Sequence, residues 1–166
     1  MTTLEKVQQL DDFKALRLFK HIETSLPQQL NIDSDDLIAQ LPDEIKQMPE
    51  VQQLITSPEE VYEKNLDTTT AIKVARESLE IMAVNPETGA YLEHELNTWK
   101  DDEMVAGTIL ALGGALSAVM LLSTVKVGYT KAKGWEFSIG YKNKNQIEPL
   151  KLIFESLFKL LPKRPQ

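Results

Sequence analysis

Apolar positions change their rhythm three times along the chain. From Leu4 to Trp99 they recur every three or four residues, the period of helices that bury one face. Between Glu103 and Lys126 charged residues vanish for 22 positions. From Val125 to Tyr141 apolar residues alternate with polar or small ones, the period of a strand, and from Leu150 the helical spacing returns. The expected class is mainly α: an N-terminal helical domain, a bilayer-length apolar helix, a β-hairpin and a C-terminal amphipathic helix.

Within the first 103 residues the punctuation is clear. Thr2-Thr3-Leu4-Glu5 has the form of a capping box, and Leu4, Val7, Leu10, Phe13, Leu16, Phe19 and Ile22 follow it as one helical stripe that Pro27 should end. Asp33-Ser34-Asp35-Asp36 opens a short helix through about Leu41, and a third runs from Pro42 to Met48 or on to Ile55. Ser57-Pro58-Glu59-Glu60 is a further start signal. Ile72, Ala75, Leu79 and Met82 mark one face of the next helix, which Asn85-Pro86 stops. Tyr91, Leu92, Leu96 and Trp99 are the apolar positions of one more.

The uncharged run MVAGTILALGGALSAVMLLSTV would extend about 33 Å as a helix, against a hydrocarbon thickness of about 30 Å. Its strongly apolar positions, the candidates for membrane insertion, are Met104, Val105, Ile109, Leu110, Leu112, Leu116, Val119, Met120, Leu121, Leu122 and Val125. The remainder are Gly, Ala, Ser or Thr. Gly107, Ala111 and Ala115 recur at four-residue spacing, and Gly114 with Ala118 repeats it, an arrangement that lets helix backbones approach closely. Two readings fit: a membrane helix that associates through these small residues, or a helix buried in a protein core. The flanks bear on the first. Lys100, Asp101, Asp102 and Glu103 precede the run, while Lys126, Lys131, Lys133, Lys142 and Lys144 follow it, so the positive-inside tendency keeps the C-terminal side in the cytoplasm. Permanent insertion would then require export of the first 103 residues. A re-entrant hairpin bent at Gly113-Gly114, or a segment sheltered until a trigger releases it, avoids that requirement.

Residues 125–142 read as a β-hairpin turning at Lys131-Ala132-Lys133-Gly134, with Trp135, Phe137 and Tyr141 on one face. A lone hairpin is marginal in water, so this face needs a helix, a membrane interface or another copy of itself. The last helix, 147–161, carries Leu150, Ile153, Phe154, Leu157, Phe158 and Leu161 on one side and Lys151, Glu155 and Lys159 on the other. Phe154, Phe158 and Lys159 join Trp135, Phe137 and Tyr141 as candidates for an interface or an anionic membrane surface.

Charge divides the chain at the same boundary. Residues 1–103 hold 9 basic and 22 acidic side chains, a net of −13, and residues 104–166 hold 9 basic and 3 acidic, a net of +6. The two parts are thus an acidic helical domain, 1–103, and a basic region, 104–166, composed of the apolar helix 104–125, the hairpin and the final helix. The overall net charge of −7 speaks against a nucleic-acid partner, since phosphate affinity rests on clustered Lys and Arg. Zero cysteines exclude disulfide, iron–sulfur and thiol chemistry.

Catalytic patterns are not evident. His21 and His94 belong to no metal-ligand spacing, and an Asp33-x-Asp35 start with Glu44 at the twelfth position fails as a calcium loop because Leu37 and Ile38 occupy its fifth-ligand and glycine positions. Gly113-Gly114 lacks the lysine of a phosphate loop. The expectation is a protein that is not an enzyme and uses no cofactor or metal.

Residues 101–142, DDEMVAGTILALGGALSAVMLLSTVKVGYTKAKGWEFSIGYK, resemble small accessory proteins of bacterial conflict systems, which carry a Gly/Ala-rich apolar helix followed directly by a hairpin and are encoded beside caspase-like or other effector proteases. The resemblance covers about a quarter of the chain and is a pattern without catalytic residues. It implies an antiviral defence role, with a caspase-like protease as the candidate protein partner. The resulting expectation is a conditional membrane effector. A cytoplasmic protein, cut between Asn85 and Glu103 or released by its partner, would move to the inner membrane, form a homo-oligomer and permeabilise an anionic bilayer. A constitutive single-pass anchor is a variant of this reading. The alternative is a helical adaptor or regulatory subunit whose apolar helix is a core element and which docks onto an effector protein.

Overall fold

The computed structural model describes residues 1–30, 37, 39–49, 51–52, 65–100, 112–139 and 147–158. Helix α1 (Thr3–Gln8) begins where the capping box places it: the Thr2 hydroxyl oxygen accepts the Glu5 N–H at 3.1 Å. The stripe expected as one helix from Leu4 to Ile22 is divided. Asp11 interrupts it, its carboxylate accepting the Lys14 N–H at 2.8 Å, and α2 (Asp12–Leu30) starts afresh. A side-chain acceptor at that position satisfies an otherwise orphaned first-turn donor, so two shorter helices replace one. Nor does Pro27 end α2, which continues to Leu30. Proline withholds one backbone donor there, and burial of Leu26 immediately before it helps hold the helix together.

Pro42 precedes α3 (Asp43–Lys46), and α4 (Thr68–Val84) ends at Asn85 as expected. Asn85 closes the turn, its carbonyl accepting the N–H groups of Thr88 and Gly89 and its side chain that of Glu87, before α5 (Gly89–Thr98) begins. This helix occupies most of the stretch proposed for cleavage, with Tyr91 and Leu92 buried. The helix starts expected at Asp33 and Ser57 lie outside the described residues, as does Leu161.

The bilayer-length helix is overturned. From the apolar run the chain builds α6 (Leu112–Leu122), 11 residues and hence about 17 Å long. Among the described residues no helix is long and apolar enough to cross a membrane. Its C-terminal limit has both a local and a tertiary cause. Ser123 donates from its hydroxyl to the Met120 carbonyl at 2.6 Å, Thr124 donates to the Gln40 carbonyl at 3.1 Å, and Val125 N–H closes on Leu121. These bonds satisfy groups at the helix end and turn the chain into the hairpin.

Strands β1 (Lys126–Thr130) and β2 (Gly134–Ser138) pair antiparallel with Tyr129 opposite Trp135 and Val127 opposite Phe137. The loop closes at Gly134, whose φ of +74° lies where a side chain would be strained. Val127 N–H donates to the Glu87 carbonyl at 2.9 Å, which ties the hairpin to the α4–α5 corner. Helix α7 (Ile147–Phe158) completes the described chain and buries Ile147, Leu150, Ile153 and Leu157.

A single core unites elements from both sides of Glu103. Leu16, Phe19, Ile22 and Leu26 of α2 meet Val74, Ala75, Leu79 and Met82 of α4, together with Leu116, Val119 and Met120 of α6 and Leu150 and Leu157 of α7. Helix α6 packs on α2, α4 and α7. The ion pairs described, by contrast, each join two residues on the same side of Glu103. The described seam between acidic and basic parts is therefore apolar packing together with the Thr124–Gln40 and Val127–Glu87 hydrogen bonds.

Candidate functional site: an apolar groove with two carboxylates

The residues singled out for membrane insertion divide into three groups. Leu116, Val119, Met120, Leu121, Leu122 and Val125 are buried in the core, each 2% exposed or less. Leu112 lies in the first turn of α6, whereas Met104, Val105, Ile109 and Leu110 lie outside the described residues. Of the small residues proposed for helix association, Ala115 and Ala118 are buried where α6 meets its own neighbours, and Gly114 lies on the same helix. Gly107 and Ala111 are outside the described residues. In the described part, small side chains thus serve close packing inside one chain.

Trp135 and Phe137 come together as expected, against a helix of the same chain. Tyr91 of α5 meets both edge-on, with ring centroids 5.7 and 5.2 Å away, and His94 lies 5.3 Å from Trp135. Edge-to-face geometry sets the positive ring edge against a negative ring face, so this seam adds orientation to burial. Burial pushes the Tyr91 phenol well above its ordinary range, and the adjacent Glu95 carboxylate adds to the effect. Glu95 also lies 3.0 Å from His21 Nε2 on α2, and the His21 ring stacks on Trp99. Glu93 turns to α1, where Lys6 and Thr3 donate to it and hold its carboxyl below the ordinary carboxylate range. Helix α5 is thus a polar and aromatic connector among α1, α2 and the hairpin. Tyr141 and Lys159 lie outside the described residues; Phe154 and Phe158 fall on α7.

An apolar groove lies elsewhere on the described surface. Helices α1, α4 and α7 enclose a groove of about 340 Å³ lined by Leu4, Gln8, Glu77, Glu80, Ile81, Val84, Pro149, Leu152 and Ile153. Leu152 is 63% exposed and Val84 48%, among the most exposed large apolar side chains described. Its floor includes Ile81 and Ile153, both nearly fully buried. Glu77 and Glu80 are the two charged residues of the lining, one helical turn apart on α4. Of the basic groups on these helices, Lys6 pairs with Glu93, Arg76 with Asp12 at 2.8 Å and Lys151 with Glu148 at 3.9 Å, while Lys73 stands one turn before Glu77 on α4, outside the lining.

The hydrophobic stripes read from sequence did not identify this groove. The signal that could have is the pair of apolar residues lying off those stripes. Val84 stands apart from the Ile72–Met82 face, and Leu152 sits among Lys151 and Glu155 on the polar side of the last helix. Among the described residues no group of three or more His, Asp or Glu is placed to hold a metal ion.

Comparison of the chain with protein-family models, curated proteins and solved structures finds no match. The resemblance stated for residues 101–142 rests on its pattern alone.

Proposed function

We propose that the chain is a helical adaptor or regulatory subunit that docks onto a protein partner through the α1–α4–α7 groove. The observation that carries this reading is the coexistence of exposed Leu152 and Val84 with a buried floor, on a frame whose most apolar described helix is already committed to the core. Release of that helix for insertion would uncover the core faces of α2, α4 and α7 that pack on it, at about 1.5–3 kcal/mol for each large aliphatic group left in water. Docking at the groove leaves them covered.

The reading is tested on the full chain by methyl NMR during titration with a leucine-striped model helix. Saturable shifts at Leu4, Ile81, Val84, Leu152 and Ile153, with the α6 methyls unmoved, are the expected result. Flotation of the full chain with vesicles of mixed neutral and anionic lipid, accompanied by loss of hydrogen-exchange protection in α6, would overturn it.

A further inference from the structure

We infer that the occupant of this groove is an amphipathic helix of a protein partner whose apolar stripe is flanked by lysine or arginine; the inference rests on the docking reading above. Shape comes first. Pockets for small molecules enclose most of their ligand, whereas this groove lies open between helices and its rim residues Leu152 and Val84 remain largely in water. An open apolar trough suits a helix laid along it, with anchors at i, i+3 or i+4 and i+7. The positions of α4 that line it, Glu77 to Val84, span about 10 Å, the length of an i to i+7 stripe.

Charge then selects the partner. Glu77 and Glu80 stand one turn apart on α4, and no basic side chain is among the lining residues. Ammonium or guanidinium groups on the partner, one turn apart beside its apolar stripe, would meet the carboxylates while the stripe fills the trough. An acidic partner would bring like charges together in a partly dehydrated cleft. A second copy using the same face is disfavoured for the same reason. A two-fold axis through the groove would set the Glu77 and Glu80 pairs of the two protomers close together.

The test uses the full chain and two designed helical peptides of identical leucine stripe, one flanked by lysines and the other by glutamates, read by fluorescence anisotropy. The lysine peptide should bind at least tenfold more tightly in low salt, and that ratio should shrink in half-molar salt. The Glu77→Lys/Glu80→Lys double variant should reverse the preference, while Glu136→Lys on the remote hairpin should not. Leu152→Asp should weaken the lysine peptide at least tenfold without changing the thermal midpoint. Equal binding of both peptides, each still lost in Leu152→Asp, would overturn the basic partner and keep the docking groove. Binding of the lysine peptide untouched by Leu152→Asp and by the glutamate reversals would overturn the groove itself. Sedimentation showing a dimer that Leu152→Asp dissociates would replace the foreign helix with a second copy.

Discussion

Helix α6 and the rim of the α1–α4–α7 groove are both apolar, but the chain uses them in opposite ways. Helix α6 is embedded between α2, α4 and α7, with Ala115, Leu116, Val119 and Met120 fully buried. The rim consists of a few side chains, Leu152 and Val84 above all, on helices that are otherwise amphipathic. Dense hydrophobicity marks what the fold must hide, because every face of such a helix seeks cover. Isolated apolar residues on polar faces mark what the fold leaves available. Single exposed hydrophobics are ordinary on protein surfaces, but here they converge from separate helices onto one trough.

The sharpest way to break this contrast is to delete equal side chains on each side of it. Leu116→Ala should cost about 2–5 kcal/mol in urea unfolding, the penalty of a cavity in a packed core. A loss below about 1 kcal/mol would mean that α6 is not a core element. Alkaline titration probes the seam that joins the hairpin to α5. The Tyr91 phenol is raised in the folded state, so its contribution is full below the ordinary tyrosine pKa of about 10 and is lost as pH rises toward the folded value. Unfolding midpoints should therefore fall above about pH 10, and Tyr91→Phe should flatten that decline relative to the parent chain. An identical decline in both proteins would remove Tyr91 as its source.

Asp11→Ala should cost about 1 kcal/mol, since the carboxylate caps α2 at Lys14 N–H, and helicity measured by circular dichroism should change little. The smallest stability effect belongs to the groove. Leu152→Asp should shift unfolding by no more than about 0.5 kcal/mol, although it removes as large an apolar side chain as Leu116→Ala truncates. A loss comparable with that of Leu116→Ala would place Leu152 in the core and erase the distinction between the two regions.

Local chemistry made much of the fold legible. The Thr2 cap, the stop at Asn85, the strands on either side of Lys131–Lys133 and the final amphipathic helix are each set by residues a few positions apart. The same kind of signal misled where its strength depended on context. Asp11 is as good an N-cap as it is a polar residue within a helix, and Pro27 breaks an isolated helix more readily than one held by its core. The charge division at Glu103 was legible as well, but it does not mark a boundary in the packing. The described contacts across that boundary are chiefly side chains of one hydrophobic core, with the Thr124–Gln40 and Val127–Glu87 hydrogen bonds beside them, and the described ion pairs stay within each part.

By itself, the sequence determined that the protein is mainly helical, that a hairpin follows its most apolar segment, and which residues begin and end several elements. Those properties arise from backbone hydrogen bonding, caps and side-chain period, all of which act over a few residues. Only the tertiary structure decided what covers α6. A 22-residue uncharged run meets the length requirement of a bilayer and the apolar requirement of a core equally well. The difference lies in whether α2, α4 and α7 are there to receive it. The groove was decided in the same way, because it exists only where Leu4, Val84 and Leu152, far apart along the chain, are brought to one surface by helix packing.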